Sequence, residues 1–301
     1  MNREIRFLHN SLIDIPRWDQ IIGNSVNSRI YALSWYLNIL QPDWHGLIYG
    51  DYLYVMPVIF SKRWGISYMF QPVYAQQHGI FPPSDPAIIS QFLSFLQQKF
   101  RYFNVSLNAS NSFSLEGFEI EERKNFVLSL EGNYSNLASQ YNSHTKRYLK
   151  KSKANNGSPV QIGVDDFLNF KILNSIKPVN KERLKHLRLI ISHSLNDQTG
   201  EILGIYTQQN ALCAAAFFLK DNKRYTYLNS VSSQDGKQLR AMYAIVDSFI
   251  YNHASQSFIL DFEGSNIEGI ARFFSGFGAK PEIYQHIKYN NLPWFLKLLK
   301  K

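Results

Sequence analysis

The pattern of apolar and polar positions repeats one order of predicted elements in the two halves of the chain. In the first half, residues 27–40 have helical spacing, and residues 45–50 and 52–60 predict two strands joined by a turn at Gly50-Asp51. The elements that follow are a strand at 65–72, a loop at 74–83, a helix that Ser84-Asp85-Pro86 opens, and strands at 102–107 and 125–130. A capping Asp85 followed by proline is typical of a helix start.

The second half shows the same order with almost no residue identity. Its predicted elements are a helix at 181–196, a hairpin of strands at 201–208 and 211–219, a strand at 224–231, a polar loop at 232–238, a helix at 238–253, a strand at 258–263, a helix at 266–274 and a strand at 282–289. Between the halves, residues 134–156 have helical spacing. We therefore expect an α/β (α+β) fold of two tandem domains, each a mixed twisted sheet flanked by helices, at 1–132 and 158–301, with a basic linker helix at 133–157.

The stretch 258–289 contains the most suggestive polar pair. Asp261 and Glu263 lie two positions apart on a short apolar strand, so they should share one face while Phe262 is buried on the other. A turn at Gly264-Ser265 and a short helix follow. Acidic residues at the end of a buried strand are candidates for catalysis. The alternative is that they cap the next helix or pair with Arg272 or Lys280.

The amino-acid composition is that of a folded globular protein. The chain has 301 residues, of which 45% are hydrophobic, including 22 Phe and 18 Tyr, which is typical of a folded protein and long enough for two domains. No apolar run is long enough to predict a transmembrane segment, and the sequence predicts a cytoplasmic location. The single cysteine, Cys213, excludes a disulfide within the chain and a cysteine-based metal cluster, and its apolar neighbours predict a buried position.

The net charge of +9 favours anionic partners: nucleic acid, lipid headgroups or phosphate-bearing ligands. Much of it falls in the linker helix, where five basic residues lie within eight positions: Lys146, Arg147, Lys150, Lys151 and Lys153. This helix could bind phosphate or be a solvated surface. Motifs for other chemistries are missing: the sequence has neither G-x-S-x-G nor G-x-x-x-x-G-K-[ST], and the helical pair His186 and His193 has no third ligand at suitable spacing.

Two stretches, YNSHTKRYLKKSKANNG at the junction and DFEGSNIEGIARFFSGFGAKPEIY near the end, resemble the FemAB-like branch of the GNAT acyltransferases. The order of elements is also similar to two GNAT units in tandem. The resemblance implies an N-acyltransferase that moves an acyl or aminoacyl group to an amine, either a small molecule or an acceptor similar to a cell-wall precursor.

The resemblance also implies where the acyl donor binds. In the GNAT fold, acyl-CoA (acetyl-CoA in many members) lies along the strand of residues 224–231, and its pyrophosphate lies on the amides that begin the next helix. The residues at these positions are Asn229, Ser230, Val231, Gly236, Lys237 and Gln238. The usual Gln/Arg-x-x-Gly-x-Gly/Ala is replaced here by Ser233-Gln234-Asp235-Gly236-Lys237-Gln238, which has one glycine and an added acid.

Other members of the resembled family use aminoacyl-tRNA, which needs no CoA loop and suits a basic chain. The bridge-forming enzymes have a Phe-Lys pair just before Gly-Phe, and the lysine assists at the reacting ester. Here Phe273-Phe274 precedes Gly276-Phe277, so the lysine is replaced by Phe274. The sequence thus indicates the family's architecture with altered chemistry.

Acyl transfer needs a base, an acid and oxyanion donors. We predict Glu263 as base, Asp261 as the second choice, and Tyr284, or in its place Tyr289, as the acid for the leaving group. The polar loop with Tyr74, Gln76, Gln77 and His78 is predicted to line the acceptor pocket, with Lys150 and Lys151 binding a phosphate-bearing substrate. Two other hypotheses remain: a tandem GNAT module that binds without catalysis, and a binder of nucleic acid or anionic headgroups through the linker helix.

Overall fold

A computed structural model describes residues 4–113, 116–155, 157–175, 177–264 and 266–297. The chain divides into two compact units. Unit 1 contains the residues up to Lys124 together with those from Ile283 onward, and unit 2 contains Asn125–Glu282. None of the helices in the described ranges is both long and apolar enough to cross a membrane.

Unit 1 has two sheets. Its elements are β1 (Ile5–His9), α1 (Ile15–Asn24), α2 (Ser34–Leu40), β2 (His45–Tyr49), β3 (Tyr54–Val58), β4 (Phe60–Arg63), β5 (Ile66–Phe70), α3 (Pro86–Lys99) and β6 (Tyr102–Ser106). The strands β1, β2 and β3 form an antiparallel sheet. In the other, β4 is antiparallel to β5, and β5 is parallel to β6. The helix α3 connects this parallel pair and buries Ile89, Phe92 and Leu96, and the Asp85 side chain caps it by accepting from the Ile88 amide.

Unit 2 has one mixed sheet. Its elements are β7 (Glu119–Ser129), α4 (Tyr134–Ser139), α5 (Ser143–Asn155), β8 (Val160–Gln161), α6 (Val164–Asn174), α7 (Lys181–Asn196), β9 (Gly200–Tyr206), β10 (Leu212–Lys220), β11 (Arg224–Ser232), α8 (Gln234–Gln238), α9 (Ala241–His253), β12 (Ile259–Gly264) and α10 (Glu268–Ser275). Antiparallel pairs join β8 to β9, β9 to β10, and β10 to β11, whereas β11 and β12 are parallel. As in unit 1, a long helix, here α9, connects the parallel pair.

Two long strands, β7 and β13 (Lys280–Asn290), run through the boundary between the units. The end of β7 pairs antiparallel with β12 of unit 2, with Leu128 opposite Leu260. The end of β13 pairs antiparallel with β6 of unit 1, with Ile287 opposite Val105. Each unit is thus completed by a strand that the sequence pattern assigned to the other half. The C-terminal helix α11 (Trp294–Lys297) belongs to unit 1.

These units differ from the expected segments 1–132, 133–157 and 158–301. The reason is the pairing of β7 and β13, since alternation predicts a strand but not its partner. The expected linker helix is two helices within unit 2, α4 and α5, separated at Gln140–Asn142, where Asn142 Oδ1 accepts from the Thr145 amide and begins α5. The expected end of this helix at Asn156 lies outside the described residues.

Several elements differ from the pattern-based predictions. The helix expected at 27–40 is a short 3-10 turn at Ile30–Ala32 followed by α2. The strands β1, β4 and β8 and the helices α1, α6 and α11 were not predicted, and the polar loop expected at 232–238 contains the short helix α8. For α1 the signal was present, because Asp14 caps the helix and Pro16 lies in its first turn. The helix α7 has its predicted bounds, and the prediction that Cys213 is buried is confirmed.

Candidate functional site

Unit 2 contains a groove beside the part of β11 that is not paired with β12. β11 and β12 pair at Arg224 with Ile259, Tyr225 with Leu260, and Thr226 with Asp261. Beyond these positions the described residues of the two strands are not paired with each other. The groove has a volume of about 420 Å³. Its lining residues are Tyr227, Ser230, Val231, Ser232, Gly236, Lys237, Arg240, Met242, Tyr243, Gly269, Ile270, Phe273 and Phe274.

Of the six positions expected to bind the donor, Ser230, Val231, Gly236 and Lys237 line this groove, and Gln238 does not. The sixth, Asn229, is on the other face of the sheet, because a bulge shifts the β10–β11 register between Phe217 and Phe218.

On that other face, Asn229 Oδ1 accepts a 2.9 Å hydrogen bond from Lys171 Nζ on α6. Burial lowers the pKa of Lys171. A half-buried lysine bonded to the strand that lines the groove is a functional candidate that spacing along the sequence did not indicate.

The loop and short helix after β11 are held by their own side chains. Ser233 caps α8, its hydroxyl accepting from the Gly236 amide at 3.1 Å, and its carbonyl accepts from the Lys237 amide. A Cβ on Gly236 would lie 2.0 Å from the Cys213 carbonyl oxygen of β10. The glycine is therefore explained by close packing of α8 on β10. The amides of both Gly236 and Lys237 have hydrogen-bond partners within the chain.

This packing gives a direct prediction. Gly236→Ala should lower the free energy of unfolding by about 1–3 kcal/mol, because the added methyl group meets backbone that cannot rotate away. Gly269→Ala is the matched control, since Gly269 lines the same groove and its added Cβ would meet nothing within 4 Å. Urea unfolding of both variants measures the difference. Equal stabilities would contradict the packing explanation.

Cations and aromatic rings surround one end of the groove. Arg240 precedes α9 in the left-handed backbone region (φ 60°), and its guanidinium lies 4.4 Å from the centre of the Tyr148 ring on α5. Tyr148 in turn contacts Tyr243, a lining residue, with ring centres 5.2 Å apart. Lys237 and Arg240 are both exposed lining residues. Lys150 and Lys151 are exposed on α5 and do not line the groove.

Asp261, one of the two predicted catalytic carboxylates, is in a buried ionic network. It is 1% exposed. Its Oδ2 accepts from Arg224 Nη1 at 2.9 Å, and its Oδ1 accepts from the Glu263 amide at 2.9 Å. Arg224 Nη2 also donates to Glu282 Oε1 at 3.2 Å. The partner is therefore Arg224 from the neighbouring strand, whereas Arg272 pairs with Glu268 one turn away along α10.

Glu263, the predicted base, stands at the end of β12 with a left-handed backbone (φ 59°). Such a conformation is uncommon for a residue with a side chain and is often found at functional sites. The register between β12 and β7 shifts between Asp261 and Gly264, next to Glu263. Regular alternation of side chains, which predicted Asp261 and Glu263 on one face of the strand, therefore does not hold here. Glu263 is half-buried, and Ser265 of the predicted turn lies outside the described residues. Tyr284, the predicted acid, is buried on β13 in unit 1.

The predicted acceptor loop lies in unit 1 and is largely buried. Gln77 Oε1 accepts from Arg29 Nη2 at 3.2 Å and from the Ala109 amide at 3.3 Å, and Gln77 Nε2 donates to Gln76 Oε1. His78 is 5% exposed, and burial lowers its pKa to about 4. The carbonyl of Tyr74 accepts from the Tyr36 hydroxyl. The loop is thus part of a buried polar cluster.

Solved structures with the same architecture were found by comparison. The crystal structure of FemX is 10% identical and matches with a TM-score of 0.65 over 98% of this chain and 99% of that chain. A conserved protein of unknown function from Bacteroides thetaiotaomicron is 13% identical, with a TM-score of 0.58 over 95% and 99% of the two chains. The C-terminal domain of a protein assigned as lysylphosphatidylglycerol synthetase from Agrobacterium fabrum is 9% identical, with a TM-score of 0.52 over 95% and 94%.

No family model matches the sequence, and no curated protein matches it. The structural matches confirm the expected fold: the chain has the fold of FemX and of the lysylphosphatidylglycerol synthetase domain.

Proposed function

We propose that the chain is an aminoacyltransferase that binds the acylated end of an aminoacyl-tRNA in the groove of unit 2 and transfers the aminoacyl group to an amine. The observation that carries this proposal is the groove itself, which lies beside the unpaired part of β11 and has Lys237, Arg240 and Tyr243 among its lining residues. The shared fold with FemX supports an acyl-transfer chemistry.

The chemical character of the groove favours a nucleic-acid donor over a CoA ester. Single-stranded nucleic acid is bound by cations that contact phosphates and by aromatic rings that stack on bases. Arg240 and Lys237 supply the cations, and Tyr243 and Phe273, with ring centres 4.7 Å apart, supply rings. The Ser233 hydroxyl already accepts from the Gly236 amide, which leaves that amide less available to the pyrophosphate of CoA.

In the proposed reaction the acceptor nitrogen attacks the ester carbonyl carbon, a C–N bond forms, and the C–O bond to the ribose breaks. One proton leaves the nitrogen and one is taken up by the departing ribose oxygen. We assign the first transfer to Glu263 at the end of β12, which does not itself line the groove. The predicted acid, Tyr284, is buried on β13 in unit 1 and has no role in this groove of unit 2. Asp261 is a poor base, because both of its oxygens already accept hydrogen bonds.

The salt dependence of tRNA binding tests the donor assignment. The double variant Lys237→Gln/Arg240→Gln should bind aminoacyl-tRNA more weakly, and the slope of log K against log salt concentration should become shallower by about 2, or about 1 for each lost phosphate contact. The matched control is Lys181→Gln/Lys185→Gln on α7, which removes the same charge from exposed positions of unit 2 outside the groove. Equal slopes for the two double variants would overturn the assignment.

Acyl-CoA is the second candidate donor, and Ser230 and Val231 favour it because they line the groove where the acyl-bearing arm of CoA would lie. A ligand at about 100 times its dissociation constant stabilises its protein by about 2.7 kcal/mol, so acetyl-CoA would raise the melting temperature if it binds. Stabilisation by acetyl-CoA with no binding of charged tRNA would replace the first proposal. Binding of either donor without transfer would indicate the non-catalytic module.

The third hypothesis is a nucleic-acid or headgroup binder that uses α5 alone. It predicts that Lys150→Gln/Lys151→Gln weakens anion binding more than Lys237→Gln/Arg240→Gln does. Filter binding of uncharged tRNA to both variants separates the two surfaces.

A further inference from the structure

Unit 1 has a second groove, remote in sequence from the first and formed by the tip of the β4–β5 hairpin and the C-terminal segment. Its volume is about 300 Å³. Its walls are mainly apolar, with Ile66, Leu292 and Leu296 as aliphatic lining residues and Tyr68 and Tyr102 as aromatic ones. Arg63 and Trp64 at the hairpin tip complete the lining.

Two tryptophans are exposed on the segments that form this groove. Trp64 is 68% exposed, and Trp294 on α11 is 76% exposed, whereas Trp18 and Trp44 are fully buried in unit 1. Trp64 has a left-handed backbone (φ 50°) and precedes Gly65 (φ 76°), a turn that ordinarily prefers Asn, Asp or Gly at the first position. Neither core packing nor turn geometry explains a tryptophan there, and exposed large apolar side chains often mark an interaction surface.

The two segments that form this groove carry charges of one sign. Lys62 and Arg63 are exposed at the hairpin tip, and the Arg63 guanidinium lies 4.4 Å from the centre of the Trp64 ring. In the sequence, no Asp or Glu occurs between Asp51 and Asp85, and none occurs after Glu282. Both segments that form the groove therefore carry basic residues without acidic ones.

We infer that this surface docks the protein on an anionic phospholipid bilayer. We call it the tryptophan surface and define it by these residues: Lys62, Arg63, Trp64, Leu292, Trp294 and Leu296. Tryptophan is favoured at the boundary between lipid headgroups and hydrocarbon, and juxtaposed Lys and Arg are attracted to anionic lipids. The inference does not rest on the proposed transferase function.

The aliphatic lining favours lipid over single-stranded nucleic acid. Arg63 and Trp64 alone could serve either partner, since bases also stack on aromatic rings. Leu292, Leu296 and Ile66 offer nothing to a phosphate or a base edge, whereas a hydrocarbon chain gains from contact with them.

Vesicle co-sedimentation tests the docking surface. We expect the full chain to bind vesicles of 70% phosphatidylcholine and 30% phosphatidylglycerol and to bind pure phosphatidylcholine weakly. Trp64→Ala/Trp294→Ala should weaken binding to the anionic vesicles about tenfold or more. Lys62→Gln/Arg63→Gln should weaken it about 30-fold. The matched control Val26→Ala/Leu173→Ala removes exposed apolar side chains elsewhere and should bind like the wild type.

Tryptophan fluorescence gives a second readout. Brominated lipids in the anionic vesicles should quench part of the wild-type emission, and most of that quenching should be lost in Trp64→Ala/Trp294→Ala, because Trp18 and Trp44 are buried and Trp35 is half-buried. The inference is overturned if the wild type does not bind anionic vesicles, if Trp64→Ala/Trp294→Ala and the control bind equally, or if Trp64→Ala/Trp294→Ala loses oligonucleotide binding and keeps vesicle binding.

Discussion

Arg224→Met is expected to lower the free energy of unfolding by about 3–5 kcal/mol. The substitution removes the partner of Asp261, a carboxylate that is 1% exposed, and also a partner of Glu282. A buried charge without its counter-ion is costly, whereas the intact pair contributes little by itself. Urea unfolding at pH 7 measures the change.

The double variant Arg224→Met/Asp261→Asn is the control for this experiment. Removing the charge of Asp261 together with that of Arg224 should recover much of the lost stability, because residue 261 then carries no unpaired buried charge. A loss below about 1 kcal/mol for Arg224→Met would contradict the structural role of the pair.

The double variant also bears on catalysis: a folded protein that keeps its transfer activity without Asp261 would remove that residue from the candidate bases.

Acidification from pH 6.5 to pH 4 is expected to destabilise unit 1 through His78 by up to about 3 kcal/mol. Burial lowers the pKa of His78 in the folded chain to about 4, against an unfolded value of 6.5. The folded state therefore holds the neutral imidazole, and the unfolded state binds a proton first as the pH falls. The contribution of His78 is fully present above pH 6.5 and is lost progressively as the pH approaches 4.

The variant His78→Gln separates the contribution of His78 to the pH dependence of stability from that of the carboxylates, which titrate in the same pH range. The free energy of unfolding of the wild type should fall more steeply between pH 6.5 and pH 4.5 than that of the variant. His286, whose pKa is also lowered to about 4, shares a 2.9 Å hydrogen bond with the Ser106 hydroxyl and should contribute to the pH slope of both proteins alike. Identical pH slopes would show that His78 does not stay neutral in the folded state.

Local sequence signals predicted much of the fold, and long-range pairing accounts for most of the differences. Asp85 with Pro86 placed the start of α3, and the apolar spacing of α7 gave both of its ends. The same kind of signal predicted β7 and β13 as strands but assigned each to its own half. Which edge a strand joins depends on backbone partners far away in the chain, and the alternation of side chains does not encode them.

The residues of the candidate site also fall into those that the sequence indicated and those that only the structure revealed. Ser230, Val231, Gly236 and Lys237 follow one another along the chain, so a resemblance to a known fold could place them together, and all four line the groove. Arg224 and Asp261 are 37 positions apart, and only the parallel register of β11 and β12 brings them into contact. Lys171 and Arg240 were missed for a related reason: burial and a left-handed backbone, which single them out, are properties of the folded chain.

The pairing of β6 with β13 in unit 1 has a consequence for the order of folding during synthesis. The residues of unit 2 are continuous in the chain, so all of them are available before the end of β13 has been made. Unit 1 is different, because β6 lacks an antiparallel neighbour until β13 arrives, and Ser106 meets His286 across 180 positions. Closing so long a loop is slow. We therefore expect unit 2 to gain protection from proteolysis on the ribosome before unit 1 does. Until β13 has been synthesised, the edge of β6 that pairs with it stays exposed.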